Sequence, residues 1–158
     1  MFNLATYTLI HVVLSLVGIG SGIVVVLGLI AGKRLNLSSA LFLGTTAATS
    51  ITGYGFPFDH LLPSHIVGAI SLIVLAVAIY ARYARRLAGG WRVAYVISAV
   101  AALYFNCFVL VVQAFLKVPA LNALAPTQSE PPFAVVQLAV LVLFIGLGFP
   151  AVRRSKGI

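Results

Sequence analysis

The sequence predicts an all-α integral membrane protein, a five-transmembrane-helix bundle with its N-terminus out and its C-terminus in. Its 158 residues are 62% hydrophobic and 8% charged, whereas soluble domains carry roughly a quarter of charged residues. Apolar stretches long enough to cross a bilayer recur along the chain. Nine of the ten Lys and Arg residues fall on one side of a five-span arrangement, and both acidic residues fall on the other. Because cytoplasmic loops are enriched in Lys and Arg, this distribution predicts both the number of spans and their direction.

The five predicted spans belong to one polytopic membrane domain, residues 1–158. We place them at approximately residues 8–31, 37–52, 64–81, 93–116 and 131–152. The first run ends at Lys33 and Arg34 without a small-residue cleavage pattern, so we expect a retained spanning helix rather than a signal peptide. Pro131 and Pro132 open the fifth span, where their missing N–H groups cost little.

The second span is the most polar, because seven hydroxyl side chains dilute it: Ser38, Ser39, Thr45, Thr46, Thr49, Ser50 and Thr52. Charge supports its assignment as a span. Without it, the basic cluster at residues 82–92 would lie on the opposite side of the membrane from Lys33 and Arg34. With it, Lys117 is the one basic residue left on the outer side, where Asp59 and Glu130 also lie.

The net charge of +8 does not indicate nucleic-acid binding, because it is divided among short loops beside lipid. We expect it to attract anionic lipids at the cytoplasmic face. The single cysteine, Cys107, excludes an intrachain disulfide. The sequence contains no phosphate-binding loop, dinucleotide fingerprint or serine nucleophile motif. These features favour a non-enzymatic protein.

Polar side chains of the spans gather in the outer half of the predicted bundle. At ~1.5 Å per residue, five of them lie about 20 to 30 Å above the inner end of their span. With Tyr7 and Thr49 these residues make up the candidate ligand-binding pocket: Tyr7, His11, Thr49, His65, Asn106, Gln113 and Gln137. Because polar groups in lipid normally face the bundle interior or a wet cavity, we expect an outward-opening pocket above an apolar floor. The simpler alternative is that the three amides only bond helices together, at about 0.6 kcal/mol each.

Two aromatic and three small residues share one face of the first span. Tyr7, His11, Ser15, Gly18 and Gly22 follow one another in steps of four, four, three and four, which places them on one side of a helix. The pattern Gly18-x-x-x-Gly22 is typical of close packing between membrane helices. It therefore predicts a helix contact, either within the chain or in a homo-oligomer.

The histidines suggest a second kind of site. His11 and His65 lie at similar predicted depth and are able to ligate a b-type haem axially. Alternatively, His11, His65, His60 and Asp59 provide the imidazole and carboxylate ligands that suit Cu or Zn. Proton transfer is a third possibility, because imidazole titrates near neutral pH. A purely structural interpretation also stands, in which His11 bonds to Tyr7 or another neighbour.

The outer loop at residues 117–130 is too apolar for a simple solvated connection. Leu121, Leu124 and Ala125 predict a short interfacial or re-entrant turn over the mouth of the bundle.

Four segments carry a resemblance to known proteins. They contain Gly-Tyr-Gly-Phe-Pro (from residue 53), Gly-Trp-Arg-Val-Ala-Tyr (from 90), Ala-Leu-Tyr-Phe-Asn (from 102) and Leu-Ala-Pro-Thr-Gln-Ser-Glu-Pro-Pro-Phe (from 124). The chain resembles a group of uncharacterised small bacterial inner-membrane proteins over spans two to five. This resemblance implies a bacterial cytoplasmic membrane and no particular activity.

Three functional hypotheses follow from the sequence. The first is a non-enzymatic membrane protein that binds or admits a small molecule through the outward-facing polar pocket. The second is a haem b- or metal-binding redox subunit that uses His11 and His65. The third is a structural or assembly subunit of a membrane complex.

Overall fold

The computed structural model describes residues 3–57 and 63–157. Within those residues helices are the one type of regular secondary structure, with 85% of the residues in helices and none in strands. The helices are α1 (Leu4–Ile30), α2 (Asn36–Gly53), α3 (Pro63–Ile79), α4 (Trp91–Lys117), α5 (Pro119–Leu124) and α6 (Pro131–Arg154). A π-helical turn, Tyr80–Ala84, extends α3, and a 3-10 turn, Ser155–Gly157, follows α6.

Four helical stretches are long and apolar enough to cross a membrane: Leu4–Ile30, Ser64–Ala84, Trp91–Lys117 and Pro131–Gly157. They correspond to the first, third, fourth and fifth predicted spans. The predicted second span is also helical, but α2 is not among the four, because its hydroxyl side chains lower its hydropathy. The length and apolar composition of these four helices therefore support the prediction of a helical membrane protein.

Helix ends differ from the predicted spans by a few residues. The first helix begins at Leu4 instead of residue 8, because Asn3 caps it: Asn3 Oδ1 accepts a hydrogen bond from the amide of Ala5 at 3.3 Å. A hydropathy pattern does not detect such a cap, since Thr6 and Tyr7 are polar. At the other end of the chain, α6 continues to Arg154, past the predicted limit at residue 152.

The helices are arranged around α1 and α4, both of which also contact α6. Helix α2 lies antiparallel to α1 and also packs on α3. Helix α4 packs on α1, α3 and α6. The turn between α1 and α2 includes Gly32, whose φ of +68° is favourable for glycine.

All three basic segments meet at one end of the bundle, which we call the basic end. Arg154 Nη1 donates to Ile30 O at 3.3 Å, and Arg92 Nη1 donates to Lys156 O at 3.2 Å. These bonds join the end of α1, the start of α4 and the end of α6. The other end of the bundle, where α2 finishes and α6 begins, is called the opposite end below.

The main apolar core lies in the half of the bundle near the basic end. Its large, fully buried side chains include Val25 and Val26 of α1, Phe42 of α2, Leu75 of α3 and Leu103 of α4. This cluster matches the apolar floor that the sequence predicts beneath the polar residues.

The predicted turn in the loop at residues 117–130 is a short helix, α5. It folds back on the end of α4: Asn122 Nδ2 donates to Phe115 O at 3.1 Å, and Gln128 Nε2 donates to Val112 O at 2.8 Å. Ala125, at the end of α5 within this loop, is fully buried. The loop is therefore attached to the bundle along its length.

Candidate functional site

Polar side chains of α2 form hydrogen bonds to three neighbouring helices. From the basic end outward, the bonds are Arg82 Nη2 to Asn36 Oδ1 (2.8 Å), Tyr95 Oη to Ser39 Oγ (3.1 Å), Asn106 Nδ2 to Thr46 Oγ1 (3.0 Å), Ser50 Oγ to Ser71 Oγ (3.4 Å) and His11 Nδ1 with Thr52 Oγ1 (2.8 Å). Ser39 and Thr46 are almost completely buried. Four of the seven hydroxyl groups that weaken α2 as an apolar span, those of Ser39, Thr46, Ser50 and Thr52, are therefore bonded to side chains of neighbouring helices.

His11 and Tyr7 of α1 both bond to Thr52 in the last turn of α2. Tyr7 Oη donates to Thr52 O at 2.7 Å, and His11 Nδ1 lies 2.8 Å from Thr52 Oγ1. The ring of Phe56 packs edge-on against both side chains, with centroid distances of 5.0 Å to Tyr7 and 5.1 Å to His11. The prediction that His11 bonds to a neighbour is confirmed, and that neighbour is Thr52.

His65 of α3 packs against Tyr54, just beyond the end of α2. Tyr54 Oη donates to His65 O at 2.6 Å, and the two rings stack with centroids 5.4 Å apart. Because α2 packs on both α1 and α3, the structure holds His11 and His65 on different flanks of the α2 terminus. Thr52 fixes the first and Tyr54 the second.

Asn106 lies where α1, α2 and α4 meet. A Cβ added to Gly18 would stand 3.1 Å from Thr46 Oγ1 and 3.4 Å from Asn106 Nδ2, so the missing side chain lets the helices close around this hydrogen bond. Gly22, one turn along α1, packs in the same way against Phe42. The predicted face of α1 is confirmed, and its glycines make contacts within the chain.

Two buried side-chain oxygens that can accept a hydrogen bond have no partner among residues 3–57 and 63–157. They are Thr49 Oγ1 and Gln137 Oε1. Gln137 is only 9% exposed, and its Nε2 donates to Phe108 O at 3.1 Å. Thr49 lies four residues after Thr45 and three before Thr52, so it shares the face of α2 that contacts α1. An unpaired buried acceptor is costly, and a bound donor would relieve that cost.

Gln113 differs from the other predicted pocket residues. It is seven residues from Asn106, which predicts the same helix face, yet its side chain is exposed whereas Asn106 is half-buried. The neighbouring helices cover α4 at the level of Asn106 and leave it open at Gln113. The structure therefore brings together Tyr7, His11 and Thr49 along the α1–α2 contact and leaves Gln113 outside it.

The metal hypothesis gains no support from the geometry. In the part of the chain that the structure describes, no group of three or more His, Cys, Asp or Glu side chains is arranged to hold a metal ion. His60 and Asp59 lie outside the described residues.

Sequence reasoning missed the partners of the predicted residues. Thr46, Thr52, Tyr54 and Phe56 all contact one of them, yet none was a candidate. Of these four, Thr52 had a signal in the sequence, because the spacing of threonines at 45, 49 and 52 lines one face of α2 with hydroxyls. A polar face on an otherwise apolar helix indicates the interior of a membrane bundle.

No family model, curated protein or solved structure matches this chain. The resemblance to small bacterial inner-membrane proteins stays a prediction.

Proposed function

We propose that the protein crosses a bacterial cytoplasmic membrane five times, with α2 as the additional span, its N-terminus out and its C-terminus in. The 18 residues of α2 extend for about 27 Å, close to the thickness of the hydrocarbon layer. Its hydroxyls bond to α1, α3 and α4, so the apolar surfaces of those helices shield them from lipid. The meeting of the basic segments at one end supports the orientation, because that end carries the cytoplasmic charge signature.

The function that this geometry supports best is binding of a small, neutral, hydrogen-bonding molecule in the outer half of the bundle. The observation that carries it is the pair of buried, unpartnered acceptors, Thr49 Oγ1 and Gln137 Oε1. The side-chain carbonyl of Gln137 only accepts hydrogen bonds, so its ligand must supply an N–H or O–H group.

Both acceptors lie at a similar depth. Asn106 bonds to Thr46, and Phe108, two residues further along α4, accepts from Gln137. Thr49 is three residues beyond Thr46, so the two acceptors differ in depth by roughly one helical turn or less. Tyr7, His11 and His65 lie further out, around the end of α2, and supply the entrance to the proposed site.

The test is mass spectrometry of small molecules that co-purify with the full chain, combined with an absorption spectrum and elemental analysis. The variants are Thr49→Val, which removes the hydroxyl at nearly constant shape, and Gln137→Leu. The matched control is Gln113→Leu, the same substitution at an exposed position of the same half of the bundle. We expect a bound neutral molecule that is lost in both variants and retained in the control.

Other results would replace the proposal with one of its alternatives. A haem absorption band, or a metal that disappears in His11→Ala or His65→Ala, would make the protein a redox subunit. A sample without any small molecule, and equal behaviour of the three variants, would contradict the binding site and leave a structural subunit.

A further inference from the structure

A second polar site lies at the basic end, between the start of α2 and the end of α3. It is a cavity of about 240 Å³ lined by Arg34, Asn36, Arg82, Tyr83, Arg86 and Leu87. Three of these six residues carry a permanent positive charge. None of the hydrogen bonds proposed for the outer site involves them, so this cavity is independent of that site.

Arg82 is the buried one of these three arginines. Its side chain is only 9% exposed, its Nη2 donates to Asn36 Oδ1 at 2.8 Å, and its guanidinium lies 5.1 Å from the ring centroid of Tyr95. Both neighbours are uncharged. A buried guanidinium without a counter-ion is costly, and a bound anion lowers that cost.

The chain itself does not supply that anion from its described residues. Glu130 is the one acidic residue among them, and it precedes α6, whereas the cavity lies near the level at which α6 ends. The 24 residues of α6 separate the two levels by about 36 Å. No carboxylate of the described chain therefore pairs with Arg34, Arg82 or Arg86.

The local backbone holds the arginines in place. Arg82 lies in the π-helical turn Tyr80–Ala84, which closes with a bond from Arg85 N to Tyr80 O at 2.9 Å. Arg86 and Leu87 follow with φ values of +49° and +59°, a strained conformation for residues other than glycine. The side chain of Leu87 is 2% exposed and anchors the turn in the core. Such π-bulges and strained residues are frequent at functional sites.

The start of α2 adds to the attraction for an anion. Asn36 is its first residue, and the preceding Leu35 offers no side-chain hydrogen bond to the first turn. The amide groups of a helix N-terminus and its dipole favour negative charge. Tyr83, which is 53% exposed beside the cavity, has the amphipathic character of residues that lie at the headgroup level.

We propose that this cavity binds a phosphate group, held by Arg34, Arg82 and Arg86 at the N-terminus of α2. Guanidinium groups match phosphate oxygens in bidentate geometry, which distinguishes them from a general basic surface. The phosphate belongs either to an anionic lipid headgroup or to a free inorganic ion. A specific site of this kind goes beyond the general attraction of anionic lipids to the basic face.

The experiment uses the full chain in phosphatidylcholine nanodiscs, with two probes. Phosphatidylglycerol is titrated into the discs and its retention is measured by native mass spectrometry. Radiolabelled inorganic phosphate is measured by equilibrium binding. The variants are Arg82→Gln, Arg86→Gln and Asn36→Asp, and the control is Arg153→Gln, an exposed arginine at the same end that packs on Phe149.

Each variant tests a separate part of the site. Arg86 is exposed, so its substitution removes one charge without disturbing the core. Asn36→Asp keeps the contact with Arg82 and adds a carboxylate that competes with phosphate. We expect Arg86→Gln and Asn36→Asp each to weaken phosphate binding about tenfold, which is the size of effect that losing one charged hydrogen bond produces. Arg153→Gln should change phosphate binding less than about twofold.

The two probes separate the two sources of phosphate. Retention of phosphatidylglycerol without binding of inorganic phosphate indicates a lipid headgroup, and saturable binding of inorganic phosphate indicates a free anion. Equal losses in Arg86→Gln and Arg153→Gln would reduce the effect to general charge attraction and overturn the site. Binding of neither probe by the folded wild-type chain would also overturn it.

Discussion

The two ends of the bundle hold polar groups of different kinds. Near the opposite end the polar side chains that link helices are neutral and bond in pairs, as His11 does with Thr52 and Asn106 with Thr46. At the basic end they are guanidinium groups gathered around the start of α2, and Arg82 is buried among neutral partners. Neutral pairs satisfy one another, whereas a cluster of like charges requires an anion from outside the described chain.

Between the two ends lies the apolar core, with α2 passing through it. Phe42 and Leu43 of α2 are buried there together with Leu103 of α4. One helix therefore contributes to the charged cavity, the apolar floor and the neutral polar half. A helix too polar to count as a span by hydropathy therefore packs one face into the bundle, while Leu37, Leu41 and Ile51 lie on its exposed face.

The largest expected effect comes from overfilling the apolar floor. A Cβ on Gly22 would lie 2.7 Å from Leu103 Cδ1 and 2.8 Å from Phe42 Cε2, whereas no atom of the described residues outside the adjacent backbone of α1 stands within 4 Å of a Cβ on Gly20. Gly22→Leu should therefore lower the free energy of unfolding by about 1–3 kcal/mol, the usual cost of overpacking. Reversible unfolding in mixed micelles measures it. Gly20→Leu is the matched control, and an equal loss in both variants would contradict the packing of α1 against α2 and α4.

A smaller effect is expected for the coupling energy of single hydrogen-bonded pairs, which we compare between two levels of the bundle. Tyr95→Phe with Ser39→Ala removes the pair near the basic end, and Asn106→Leu with Thr46→Val removes the pair further towards the opposite end. We expect coupling energies of about 0.6 kcal/mol, with the larger value for Tyr95, which is fully buried, than for the half-buried Asn106. Double-mutant cycles give both values. Coupling indistinguishable from zero in both cycles would show that these contacts do not stabilise the bundle.

The smallest effect concerns pH and the loop before α6. Desolvation alone would raise the pKa of Glu130, but hydrogen bonds from the Thr127 hydroxyl and from the amides of Thr127 and Ser129 together hold that pKa below its usual range. Because the pKa of Glu130 is lower in the folded state than in the unfolded state, the ionised carboxylate stabilises the loop at pH values above its unfolded-state pKa. This stabilisation is lost as the pH falls through the folded-state pKa.

Amide chemical shifts of Thr127 and Ser129 in an acid titration measure this change. We expect both to move together at a pH below the usual range for glutamate, and to stay constant in Glu130→Gln. The basic end should not change over the same range, because arginine remains charged. Movement at the ordinary pH of a solvated carboxyl group would contradict the hydrogen-bonded loop.

Much of the fold was predictable from composition and charge. The third to fifth predicted spans agree with helices to within a few residues, and the predicted span at 37–52 agrees with α2 at Asn36–Gly53. These predictions succeed because apolar length and turn residues act locally along the chain. The first span was predicted from about residue 8, whereas the helix that contains it begins four residues earlier, at Leu4, because Asn3 caps it.

The sequence predicted the level of each site residue along its helix, but it did not predict which side chains contact one another. Counting residues along helices gives the level of His11 or Asn106, but the direction each helix faces is set by packing. Gln113 shares a predicted face with Asn106 and is nevertheless exposed. Arg82 reads as a loop charge in the sequence, yet a π-helical turn, which departs from the 3.6-residue period, buries it against Asn36.

The most direct test of this account is whether α2 crosses the membrane. In a Cys107→Ala background, Pro57→Cys and Arg34→Cys place one exposed thiol beyond each end of α2. Intact cells are then treated with a membrane-impermeant maleimide. If α2 spans the membrane, the thiol at position 57 is labelled from outside, and the thiol at position 34 is labelled only after the cells are opened. Labelling of both positions from the same side would contradict this account, because α2 would then not span the membrane.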